Sequence, residues 1–117
     1  MLRSFAPALA LSLVLAAPPL AAQTMEEARA ASQAGNNEEA ARILNQLAEA
    51  GDAQAMVSLG NFYRLGRGVP QDYDRALKLY LAASKAGTAA GDYYAAFIFL
   101  NGQGVPTNVE AFNSFIA

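Results

Sequence analysis

The chain contains no histidine, no cysteine and no tryptophan. Without His and Cys, the common general base, the thiol nucleophile and the soft metal ligands are missing together, and no disulfide can staple the fold. Charge is also sparse: 15% of the residues are Asp, Glu, Lys or Arg, against roughly 25% in an average soluble domain. The eight basic residues are scattered, whereas nucleic acid and anionic membranes call for clusters of Lys and Arg. Neither is expected as a partner. Aromatic residues make up 9% of the chain and, apart from Phe5, all lie at or after Phe62. The first half must therefore pack with Ala, Ile and Leu alone.

What is present begins with a targeting pattern. Arg3 supplies a positive start, Phe5 to Ala17 is a mostly apolar run, and Pro18-Pro19-Leu20-Ala21-Ala22 is a small-residue exit. This predicts a signal peptide over residues 1–22, cut after Ala22. The alternative is a retained anchor, but the run falls short of the roughly 20 apolar residues that span a bilayer. Gln23 follows where a lipoprotein would need cysteine. The predicted location is therefore periplasmic or secreted, with no membrane contact after cleavage. Removing Arg3 leaves ten acidic residues against seven basic ones, in one small domain whose stability must come from packing.

Two loops organise the remainder: Gly66-Arg67-Gly68-Val69-Pro70-Gln71-Asp72 and, thirty-six positions on, Gly102-Gln103-Gly104-Val105-Pro106-Thr107-Asn108. A glycine ending an apolar-periodic stretch can take the left-handed conformation that stops a helix. The valine before each proline is forced extended, and Asp72 or Asn108 can cap the next helix. A fixed period holding one helical hairpin predicts an all-α fold, an α/α solenoid of two to three hairpins. The units are residues 23–50, 51–87 and 88–117, the last cut short in its second helix.

The first unit is predicted as helices over Thr24–Ala34 and Asn37–Ala50, stopped by Gly35 and Gly51, with Asn36 and Glu39 spaced as a capping box. Its apolar face is Ala40, Ile43, Leu44 and Leu47, so it should open first. The second unit buries Met56, Leu59, Gly60 and Tyr63 on one helix and Tyr73, Ala76, Tyr80 and Ala83 on the next, ended by Gly87. A helical glycine costs about 1 kcal/mol relative to alanine, so Gly60 reads as a close-packing site. In the third unit Gly91, Ala95, Ala96 and Phe99 stand where Ala55, Leu59, Gly60 and Tyr63 stood. Phe112, Phe115 and Ile116 share one side of the last helix. That predicts a frayed segment over residues 94–117, or one covered in a homodimer through the C-terminal helix.

The residues Ala55, Leu59, Gly60, Tyr63, Gly66, Gly68, Val69, Asp72, Ala76, Tyr80, Ala82, Ala83 and Gly87 resemble the repeat of the SEL-one-like family, relatives of tetratricopeptide repeats. The likeness continues more loosely through Gly102, Gly104 and Val105. Residues 24–50 are tetratricopeptide-like only. The resemblance implies an α/α solenoid that binds proteins or peptides, without cofactor and without catalysis. By analogy with tetratricopeptide grooves, the partner-binding residues would be Gln54, Asn61, Arg64, Tyr93, Phe97 and Asn101. Tyr93 and Phe97 fit equally well as packing against a neighbouring unit.

Two alternatives remain from the sequence. Some cysteine-rich relatives are linked to β-lactam hydrolysis, but here Ser58, Ser84 and Ser114 are followed three residues on by Asn61, Gly87 and Ala117, not lysine. Asp72 and Asp74 read as helix cap and first-turn acid rather than a catalytic pair. The Gly-x-Gly loops follow a helix and run into proline, which does not suit a phosphate cradle. The other alternative is a fragment of a longer repeat protein.

Overall fold

The computed structural model describes residues 23–101. The predicted signal peptide, the second glycine motif with Gly102, Gly104 and Val105, and the last helix expected to carry Phe112, Phe115 and Ile116 lie outside the described residues. Five helices follow one another: α1 (Met25–Gln33), α2 (Asn37–Glu49), α3 (Ala53–Leu65), α4 (Tyr73–Lys85) and α5 (Ala89–Asn101). Each packs on the next, and α3 also touches α5. The first helices of the hairpins, α1, α3 and α5, thus form one layer and α2 and α4 the other, the arrangement of an α/α solenoid.

The tight turns share one construction. Gly35, Gly51 and Gly87 have φ of 84°, 98° and 96°, which lets the following N–H reach back to the carbonyl five residues earlier. Asn36 N bonds Ala31 O at 2.8 Å, Asp52 N bonds Leu47 O at 3.0 Å and Thr88 N bonds Ala83 O at 3.1 Å. These are Schellman turns. The same three residues open the next helix, since Asn36 Oδ1, Asp52 Oδ1 and Thr88 Oγ1 accept from Glu39 N, Ala55 N and Gly91 N. One polar side chain therefore closes one helix and starts another, which holds the helices antiparallel.

The predicted capping box at Asn36 and Glu39 forms only in half. Glu39 instead receives Arg42 Nε at 2.8 Å and Arg42 Nη2 at 2.6 Å, a charged pair that outcompetes the backbone N–H. The full box is at the start of α1, where Thr24 N donates to Glu27 Oε1 at 2.9 Å and Glu27 N to Thr24 Oγ1 at 3.2 Å.

The long loop ends α3 differently. Gly66 takes the left-handed conformation at φ 68° and ψ 40°, Arg67 N bonds Phe62 O, and Asp72 N bonds Tyr63 O at 2.8 Å. Gln71 Nε2 covers the carbonyl of Arg64 at 2.9 Å, and Asp72 caps α4 through Arg75 N at 3.0 Å. Gly68, at φ 70°, lies against the start of α2, where a Cβ would fall on the Asn37 carbonyl. Val69 packs into the first core. The loop is thus a clasp between hairpins as well as a linker.

Two cores result. The first joins Ala28, Ala40, Ala41, Ile43, Leu44 and Ala48 to Ala55, Leu59 and Phe62 of α3. The second joins Val57, Ala76, Leu77, Tyr80, Ala83, Ala95 and Ile98. Val57, Phe62 and Leu77 are buried too, although they flank the stripes that the spacing predicts. Gly60 does serve close packing, but the group that fills its space is the Tyr80 ring, 2.6 Å from a Cβ placed there. Within the helices it is Gly91 that meets backbone, since a Cβ there would lie 2.5 Å from Ser84 N and 2.8 Å from Tyr80 O. Fraying from Tyr94 onward is corrected for Tyr94–Asn101: α5 is regular to Asn101 and Ile98 is fully buried.

Candidate binding surface on the first helices

At 3.6 residues per turn, Gln54, Ser58, Asn61 and Leu65 form one stripe along α3. Phe62 flanks it toward α1 and α2, whose core it joins. Arg64 flanks it toward α5, where its guanidinium lies 5.6 Å from the ring centres of both Tyr94 and Phe97. The stripe therefore runs between a cleft on one side and an aromatic cluster on the other.

On the α1 side is an open cleft of about 190 Å³, lined by Met25, Ala28, Arg29, Ser32, Leu44, Gln54, Ser58 and Phe62. Its floor is apolar and its rim carries hydrogen-bonding groups. On the α5 side is a ring of aromatic residues with a cation over it. Tyr80, fully buried in α4, sends its hydroxyl through the layer. That hydroxyl donates to Asn61 Oδ1 at 2.5 Å and accepts from Arg64 Nε at 3.1 Å. Arg64 Nη2 also reaches Asn61 Oδ1, at 3.4 Å. Tyr94 stacks on Tyr80 at 5.2 Å between ring centres, and Tyr93 meets Tyr94 edge-on at 5.1 Å. Burial pushes the Tyr80 phenol above the usual tyrosine range, partly offset by the Arg64 bond.

Of the six residues singled out from the sequence, Asn61, Arg64 and Phe97 come together directly, and Tyr93 borders them through Tyr94. Gln54 lies apart, in the α1 cleft. Asn101 donates back to Phe97 O at 2.7 Å, a bond within its own helix. Tyr94 and Tyr80 were missed as members of this cluster. Tyr80 was assigned to the buried stripe, correctly, but periodicity places a ring and not its hydroxyl sixteen and nineteen residues away.

Ser84 donates to the Asp92 carboxylate, joining α4 to α5. Asp74 pairs with Lys78 at 3.1 Å, in keeping with a first-turn surface acid. Among the described residues no group of three acids could hold a metal ion, and no helix is long and apolar enough to cross a membrane.

The model of the Sel1 repeat matches residues 53–88 and 89–111, half of the chain. Among solved structures, a Sel1 repeat protein from Oxalobacter formigenes superposes with a TM-score of 0.68 at 27% identity, covering 78% of this chain. The chain spans 39% of that protein. No curated protein matches. The first matched repeat carries the long glycine loop, the Leu59-Gly60 pair and the Tyr63 and Tyr80 rings, and the repeat model covers half of the chain, so the chain belongs to the Sel1 repeat family.

Proposed function

We propose that this chain is an exported, non-catalytic scaffold that binds a protein or peptide across α1, α3 and α5. Sel1 repeats are protein–protein interaction modules. The observation that carries the reading is the α3 stripe, which keeps polar groups between an apolar cleft and an aromatic patch instead of burying them. Such a mixture of anchoring apolar surface and placed hydrogen-bonding groups suits a peptide. Export to the periplasm or medium rests on the pattern Arg3, Phe5–Ala17 and Ala22. The Ser84 hydroxyl, given to the Asp92 carboxylate, ties α4 to α5 and reads as helix packing, with no third group among the described residues that would orient a nucleophile and base.

The binding face is tested by pull-down from an envelope extract with wild type and with the exposed-residue variant Gln54→Ala/Tyr93→Ala. Loss of partners at unchanged helicity supports the face, and an unchanged partner set refutes it. Amino-terminal sequencing of the exported protein should begin at Gln23. A protein that stays inside the cell with Met1 intact contradicts export.

A further inference from the structure

The charges are segregated between the two layers. All three ion pairs among the described residues, Glu39–Arg42, Asp72–Arg75 and Asp74–Lys78, belong to α2, α4 and the cap of α4. In the other layer, Arg29 and Arg64 have no carboxylate within 4.0 Å among the described residues. Helix α3 contains no acid at all. The acids of α1, Glu26 and Glu27, sit in its first turn, with Glu27 held in the capping box. In α5, Asp92 is engaged by Ser84. An acidic chain thus presents a first-helix face whose central cation has no carboxylate partner among the described residues.

Arg64 is held ready for an anion. Its plane rests near two aromatic rings, and its Nε is fixed by Tyr80, whose hydroxyl is in turn anchored on Asn61. A guanidinium has five N–H donors, and these bonds use only Nε and one on Nη2. A fork fixed this way loses little freedom on pairing, and the apolar rings beside it strengthen a bond to a carboxylate. Apolar surface adjoins it. The large exposed hydrophobic side chains among the described residues are Leu65, Tyr93 and Leu100, all from α3 and α5.

We propose that the α3–α5 face binds an acidic peptide segment, with an Asp or Glu carboxylate on Arg64 and a neighbouring apolar side chain against Tyr93 and Tyr94. This rests on the peptide-binding reading above and names the chemistry of its ligand. The full chain is panned against a random-peptide display library, and the enriched peptides are then measured by fluorescence anisotropy. Enrichment of Asp or Glu beside an aliphatic or aromatic residue is expected, with binding about tenfold weaker when the acid is replaced by its amide or when Arg64 is changed to Gln. Raising salt should weaken the wild-type complex, a readout that needs no variant. Enrichment of apolar peptides without an acid, lost in Tyr93→Ala, overturns the acidic preference and leaves the peptide-binding reading standing. Acidic peptides that bind Arg64→Gln and wild type equally overturn the role of Arg64. Failure to enrich any peptide overturns both.

Discussion

Between α1, α2 and α3 the core is built from alanine, isoleucine and leucine, with Phe62 of α3 as its buried ring. Between α3, α4 and α5 it is built around Tyr80, which fills the space left by Gly60 and carries its hydroxyl out to Asn61 and Arg64. The first core is aliphatic and borrows Ala55, Leu59 and Phe62 from the next hairpin. Aliphatic burial is non-directional, so it stabilises without fixing where any one group on the surface lies. The second core adds hydrogen bonds with defined geometry, and it is there that the surface residues are positioned. In this fold one buried tyrosine couples packing on one side of a helix layer to recognition on the other.

The sharpest break in that comparison is Tyr80→Ala. It empties the centre of the second core and should cost about 3–5 kcal/mol in urea denaturation, a large share of the stability of so small a domain. A loss under 1 kcal/mol would show that Tyr80 is not central. Gly68→Ala attacks the clasp between hairpins. The left-handed backbone costs about 1–2 kcal/mol for alanine, and the new Cβ meets the Asn37 carbonyl, so we expect at least 2 kcal/mol, with faster hydrogen exchange at the start of α2. Wild-type exchange at α2 would mean the loop is only a linker.

Gly60→Ala should cost less, about 1–2 kcal/mol. Alanine gains about 1 kcal/mol of helix propensity but drives the Tyr80 ring from its seat. Its signature is a shift in Tyr80 and Arg64 resonances, and their constancy would deny the contact. Tyr80→Phe is the smallest change in shape, leaving the ring and removing the hydroxyl. About 1–2 kcal/mol should be lost, because Asn61 and Arg64 lose a partner. It also predicts a pH effect. The Tyr80 phenol titrates above the usual value because it is buried. As pH rises past about 10, the unfolded chain gives up this proton first, so stability falls toward the raised folded value. In melting curves Tyr80→Phe should show a smaller alkaline loss than wild type.

The sequence carried much of this and missed particular parts. Gly66 and Asp72 were legible because a helix stop and a cap are local, each needing one residue type at one offset. The buried positions Ala76, Tyr80 and Ala83 followed from spacing. The capping box of Thr24 and Glu27 was equally local but lay just inside the predicted helix start. Arg64 was legible as a polar residue off the buried stripe. Its seat was not, since that depends on Tyr80, Tyr94 and Phe97 arriving from two other helices. Gly91 looked like a substitution for Ala55, and only the packed pair of α4 and α5 shows why the smaller residue stands there.

The central claim is that the second hairpin, pinned through Tyr80, is the rigid platform and the first hairpin leans on it. Hydrogen exchange of the wild-type chain, followed peptide by peptide under native conditions, tests this most directly. Amides of α2 over Asn37–Glu49 should exchange well before those of α4 over Tyr73–Lys85, and Tyr80→Phe should narrow the gap from the α4 side. Equal protection of the two helices, or slower exchange in α2, would contradict it.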